Sequence, residues 1–178
     1  MTLWITAFPL PPSINEYLIP VSGRMKTSKT GKSYRGSAWV KTAKHRLFEE
    51  DCLTWRYKNH SLFKRAFDSL RELKDIYLKD KKPFVLRVDT YFVFHYKRVW
   101  ALDGAIKRLD ADNRLKPCLD AISRLFEIDD SHFFAGGCEK VTTDDKAAEG
   151  AYIRISIVAP RKIESILNIV ASETEIAS

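Results

Sequence analysis

Pro83-Phe84-Val85-Leu86-Arg87-Val88-Asp89-Thr90-Tyr91-Phe92-Val93-Phe94-His95-Tyr96 is the stretch that decides the fold. Phe84, Leu86, Val88, Thr90, Phe92 and Phe94 fall on one side of an extended chain, and Val85, Arg87, Asp89, Tyr91, Val93 and His95 on the other. One side is apolar and the other mixed, which is the period-two signature of a long, largely buried strand. Further on the period changes. From Asp112 to about Phe126, Leu115, Leu119, Ile122 and Phe126 recur at helical spacing. Two more strands are expected over Phe133 to Thr142 and over Ala151 to Val158, the latter alternating Tyr152, Arg154 and Ser156 against Ile153, Ile155 and Ile157. The class that follows is α+β, a small mixed β-sheet flanked by helices.

Upstream, Leu3 to Phe8 reads as a short strand stopped by Pro9-Leu10-Pro11-Pro12. Residues 21–36, with Gly23, Gly31 and Gly36 among basic residues, read as a mobile loop or a hairpin. Trp39 to Tyr57 has helical character, with Trp39, Ala43, Leu47 and Leu53 near one face. A second helix is expected over Leu62 to Leu78. Lys97 to Leu109 is a loop carrying Lys97, Arg98, Lys107 and Arg108 around Trp100, whose ring is expected to be a buried anchor rather than a platform for a base. The C-terminal residues read as a helix that frays into an acidic, polar tail. No internal repeat or long linker divides the chain, so residues 1–178 are expected to form a single domain.

With 45% hydrophobic residues the chain can bury a substantial core, and 30 Lys/Arg against 23 Asp/Glu give a net charge of +7. Eight of the basic residues lie between Tyr17 and Phe48, where there is no Asp or Glu. A one-signed run of this kind favours a polyanionic partner, although charge alone serves a solvated basic face equally well. Cys52, Cys118 and Cys138 are odd in number and widely spaced, which argues against a disulfide framework or a zinc site and for a reducing cytoplasm. Prolines interrupt the only apolar stretch near the N-terminus, and no run is long enough to span a membrane, so neither a signal peptide nor a membrane partner is expected.

Against this basic background stands an acidic cluster, Asp110-Ala111-Asp112-Asn113-Arg114-Leu115-Lys116, followed by Asp129-Asp130. Like charges this close disfavour joint ionisation unless a cation sits between them. Mg²⁺ supplies that charge, taking carboxylate oxygens while keeping waters that a phosphate can replace. Carboxylates with a nearby lysine are the parts of metal-assisted phosphodiester hydrolysis. On a helix from Asp112, the side chains of Asp112, Lys116 and Asp120 fall within about 80° of one another. Asp112 also suits the N-cap, and Pro117 lacks an amide where a helix would use one, which favours a kink.

The stretch Arg108 to Ile122 and then Asp129-Asp130-Ser131 resembles the signature of the RusA family of Holliday junction resolvases, which reads Asp-x-Asp-Asn-x-x-Lys, an Asp-Ala-Leu-like helical segment and an acidic pair before a strand. Pro11-Pro12-Ser13-Ile14-Asn15 resembles a second family element, Pro-Pro-Ser-x-Asn. Ile122 stands where leucine is usual, His132-Phe133 replace a polar residue and valine, and Ala38 to Lys82 looks longer than in compact members. The resemblance implies a RusA-like fold, Mg²⁺ (or Mn²⁺) held by Asp110, Asp112 and Asp130, and an essential Lys116. It further implies a homodimer that nicks four-way DNA junctions symmetrically, with a role in recombination and repair. Asp129 is then a helper or alternate ligand, Asn113 and Asp120 orient the ligands, and Lys97, Arg98, Lys107 and Arg108 contact DNA. A nuclease acting on flaps or single strands shares the same site. A basic DNA-binding protein without catalysis remains the rival from another class.

Other phosphate chemistries fit less well. Lys26 stands where the first glycine of a P-loop at Gly31-Lys32-Ser33 belongs. Asn113 and the expected helix disfavour an aspartyl-phosphate phosphatase. The four histidines, His45, His60, His95 and His132, are scattered.

Overall fold

The computed structural model describes residues 2–16, 18–27, 33–107 and 109–160, and for 18–27 and 33–39 the course of the backbone alone. Arg108, the centre of the expected basic loop and the expected C-terminal tail beyond Pro160 lie outside the described residues. Among the described residues the strands are β1 (Thr2–Phe8), β2 (Leu18–Thr27), β3 (Ser33–Lys41), β4 (Leu86–His95), β5 (Phe133–Thr143) and β6 (Gly150–Ile157). The helices are α1 (Ala43–Lys58), α2 (His60–Lys79), a single turn α3 (Tyr96–Val99) and α4 (Asp112–Phe126). The fold is α+β, as the periodicities imply.

A four-stranded mixed sheet runs in the order β1-β6-β4-β5, with β6 antiparallel to both neighbours and β5 parallel to β4. The alternation in β4 sorts as expected: Val88, Thr90, Phe92 and Phe94 are buried, whereas Arg87, Tyr91, Val93 and His95 are half-exposed. Ile5 and Phe8 of β1 and Ile153 and Ile155 of β6 complete the apolar face, onto which Phe48, Cys52 and Trp55 of α1, Phe63 and Leu70 of α2 and Ile122 of α4 pack. On the opposite face Arg87 and Arg154 clamp Asp89, at 2.9 Å and 2.7 Å, and Trp4 stacks on Tyr91 with ring centres 6.0 Å apart. The two arginines explain how a carboxylate sits almost fully buried in a strand.

β2 and β3 pair antiparallel in a two-stranded sheet apart from the main sheet. Its second strand takes Trp39, Val40 and Lys41, which pair with Pro20, Ile19 and Leu18, so the helix expected from Trp39 begins only at Ala43. Thr42 caps it, its side chain accepting from the His45 amide at 3.2 Å. The buried stripe of α1 is His45, Phe48, Cys52 and Trp55 rather than the one through Leu47 and Leu53, each 59% exposed.

Glu49 of α1 ties the end of β3 to α4. It accepts from Lys41 at 2.6 Å and from Arg124, and lies 3.2 Å from His45 Nε2. Burial raises its carboxyl, but the bonds from Lys41 and Arg124 and the charges of Arg124 and His45 outweigh this and lower it to about 2. A depressed carboxylate stabilises the fold fully above its ordinary value and loses that contribution as pH falls toward the folded one. Glu49→Gln is therefore expected to cost about 1–3 kcal/mol at neutral pH, allowing for solvent screening. Chemical denaturation should show the gap from wild type closing as pH drops from 4.5 toward about 2, and a gap constant over that window would show that these contacts carry no charge coupling.

The start of β5 carries a close approach. Leu86 pairs with Phe133 but Arg87 with Ala135, so Phe134 bulges out of the ladder and is 64% exposed. One step later a Cβ on Gly136 would lie 2.2 Å from the Val88 carbonyl oxygen, so only glycine fits there.

Candidate active site

The acidic cluster is built on the first turns of α4 and the turn that follows its end. Ala111, not Asp112, occupies the cap position and makes no side-chain cap, so Asp112 opens the helix with its carboxylate unused for capping. The helix runs through Pro117 without a break, losing only the bond that its missing amide would give the Asn113 carbonyl. Its buried stripe is centred on Pro117, Cys118, Ala121, Ile122 and Leu125, with Leu115 and Leu119 half-buried at its edge. Cys118 and Ala121 are small, which lets the helix approach the sheet closely.

At the other end, Glu127 adopts a left-handed conformation (φ 53°), the Ile128 amide donates to the Ser123 carbonyl at 3.0 Å and the Ser123 hydroxyl to the Ile128 carbonyl at 2.6 Å. This helix stop reverses the chain so that the acidic pair comes back toward α4. Asp130 then lies 4.0 Å from the Lys116 ammonium, which is also 2.6 Å from Asp120. Lys116 thus sits between two carboxylates, one contributed by its own helix and one from beyond it.

Asp129 points to a different use. Its carboxylate accepts from the Ser131 amide at 2.9 Å, capping the 3₁₀ turn Asp130–His132, and the hydrogen bonds from Ser131 hold it below the usual carboxylate range. Asp110 accepts from Asn113 Nδ2 at 3.1 Å, which gives the Asn its role of orienting a carboxylate. Asp112 faces β5. The Cys138 thiol is pushed up by burial first and by the Asp112 charge second.

Among the described residues, no three His, Cys, Asp or Glu side chains converge closely enough to enclose an ion. Mg²⁺ does not need such a cage: it keeps several waters and binds through one or two carboxylates together with substrate phosphate. Asp110, Asp112 and Asp130 are exposed, hard oxygen donors, and their chemistry fits that mode.

Of the basic residues expected at DNA, Arg98 is drawn to Glu149 at 3.2 Å and stacks 5.5 Å from the Phe94 ring centre. Lys97 is exposed, and Lys107 donates to the Lys97 carbonyl at 2.7 Å. Trp100 departs from expectation. It is 42% exposed rather than buried, because it stands on a small β-bridge with Ile106 that projects from the body.

Arg114, within the motif, has a structural role that the sequence reading did not assign. Its guanidinium donates to the Pro11 carbonyl and stacks 5.5 Å from the centre of Phe94. Burial and the Arg98 charge lower its pKa, against the opposing pull of Glu16 and Asp110. The Pro11–Asn15 stretch is thereby fastened to the helix that carries Asp112 and Lys116.

A search of curated proteins gave no match. The family model described as Endodeoxyribonuclease RusA matches residues 9–156. That span takes in both stretches that Arg114 fastens together, the acidic turn after α4 and the strands beneath them. With most of its length matched, the chain belongs to the RusA family of endodeoxyribonucleases.

Proposed function

We propose that this protein is a Mg²⁺-dependent homodimeric endonuclease that resolves four-way DNA junctions by paired symmetric nicks in recombination and repair. Its family is one of endodeoxyribonucleases with Holliday junction resolvase activity. The observation that carries the reading is Lys116 held between Asp120 and Asp130 on the helix that begins at Asp112.

Asp110, Asp112 and Asp130 are the residues to hold the ion. When bound, Mg²⁺ lowers the pKa of a coordinated water and draws charge from the scissile phosphate. Lys116, 4.0 Å from Asp130, supplies a fixed positive charge to the phosphate as negative charge develops on it. Asp120 keeps the long lysine side chain from wandering, and Asn113 does the same for Asp110. Lys97 and Lys107 offer phosphate contacts that position DNA of any sequence. A four-way junction has two-fold symmetry, so a two-fold dimer presents one cluster to each of two opposed strands.

Labelled four-way junction, flap, duplex and single strand, each with and without Mg²⁺, are the test. Paired nicks in the junction alone, only with the ion, are expected. Light scattering should give about twice the 20.5 kDa chain mass. Faster cutting of flaps or single strands, or paired cuts by a strict monomer, would replace the junction reading with that of a flap nuclease. Junction binding without cutting in any metal would leave a DNA-binding protein.

A further inference from the structure

Between β4 and α4, Val99–Lys107 form a small projection closed by its own hydrogen bonds. The Lys107 amide donates to the Val99 carbonyl at 2.7 Å, Ala101 to Ala105 at 2.8 Å and Gly104 to Ala101 at 3.1 Å, while Asp103 turns its Oδ1 back onto the Ala105 amide at 3.0 Å. Gly104 has φ 80°, the left-handed conformation that closes the turn. Bonds of this kind fix the turn, yet its apolar side chains point outward: Trp100 is 42% exposed, Ile106 66%, and Leu102 fully. Three outward apolar side chains on a braced turn are unlike a loop that merely connects two elements. Lys97 and Lys107 flank them. From Lys107 to Asp110 is a span of at most about 10 Å of extended chain, so the foot of the projection stands near the first carboxylate of the candidate active site.

We propose that the Val99–Lys107 projection is a wedge for the branch point of the DNA: Leu102 and Ile106, backed by Trp100, contact bases that have lost a stacking partner, while Lys97 and Lys107 take the adjoining phosphates. This rests on the junction reading above and adds to it the element that senses the branch. Apolar side chains inserted at a base step unstack it, at a cost smallest where stacking is already broken. A branch point is such a place and an uninterrupted duplex is not. The flanking ammonium groups favour nucleic acid over a second copy of this basic chain as the occupant.

The test uses the full-length protein and a junction carrying 2-aminopurine at the branch. Leu102→Ser and the double variant Leu102→Ser/Ile106→Ser alter exposed side chains only, and Trp100→Ala removes the aromatic support. Wild type should raise 2-aminopurine fluorescence as it binds. The double variant should lose most of that rise and bind the junction about 10-fold more weakly, with duplex affinity changed less than about twofold. An undiminished rise and an unchanged ratio of junction to duplex affinity would overturn the wedge while leaving the nuclease reading intact. Equal weakening toward junction and duplex would make these residues general contacts and also overturn it. A fall in the mass of the wild-type assembly on substitution would assign the tip to contact with a second copy. No preference of wild type for the junction over duplex would remove the junction reading itself, and the wedge with it.

Discussion

Asp110→Asn, Asp112→Asn and Asp130→Asn are each expected to abolish junction cleavage with junction affinity retained or increased, and Lys116→Ala to slow cleavage about 10²–10³-fold. The asparagine variants keep shape and remove one negative charge, so repulsion of the phosphates falls while the site loses a donor to the ion. Lys116 differs, because its ammonium already lies 2.6 Å from Asp120 and 4.0 Å from Asp130. Its removal leaves two carboxylates without the charge between them and takes away a donor to the phosphate. Lys116→Arg should not restore the rate fully, since a planar fork cannot take the place of a compact point charge. Single-turnover cleavage at saturating protein separates cutting from binding. Full activity in any aspartate variant removes that residue from the site, and a Lys116→Ala defect confined to affinity makes the lysine a simple phosphate contact.

The second large effect is expected at a residue with no side chain. Gly136→Ala places a methyl group 2.2 Å from the Val88 carbonyl oxygen, and a backbone atom in a sheet cannot step aside as the end of a side chain can. The β4–β5 ladder must open at its start, a loss of at least about 2–3 kcal/mol by analogy with overpacked cores. Asp130 stands just before β5, so the same displacement should also reduce cleavage. Gly137→Ala is the control: nothing lies within 4 Å of a Cβ there. Urea denaturation of the two variants should differ clearly in midpoint. Equal midpoints would mean that β5 relaxes freely against β4 and that the close approach at Gly136 has no energetic weight.

The sequence made the centre of the fold legible because β4 and α4 are governed by local periodicity. Elements whose limits depend on distant partners were harder to read. Trp39 to Lys41 have the pattern of a helix start, yet they pair with residues at 18–20. The buried stripe of α4 keeps the expected Ile122 and Phe126 but leaves Leu115 and Leu119 at its edge, because the small Cys118 and Ala121 meet the sheet. In the site, helical spacing alone brings Lys116 to Asp120. Which member of the acidic pair would turn to Lys116 was beyond pattern reading, since it depends on the left-handed Glu127 and on the Ser131 amide that takes Asp129. Arg114 lies 103 residues from its partner Pro11, and nothing in its neighbourhood announces that contact.

The sheet order also bears on when this protein becomes able to act. β6, the last strand among the described residues, is not an edge: it lies between β1 and β4, and its residue Ser156 pairs with Thr2. During synthesis, Asp110, Asp112, Lys116 and Asp130 are all made before the strand that completes the platform beneath them. Pairing strands this far apart in the chain carries a loop-closure entropy and slows folding. A ribosome-bound chain stopped short of Gly150 holds every charged group of the candidate site but leaves β1 and β4 without the neighbour that joins them. The platform under the candidate site is thus completed by β6, the strand that joins β1 to β4.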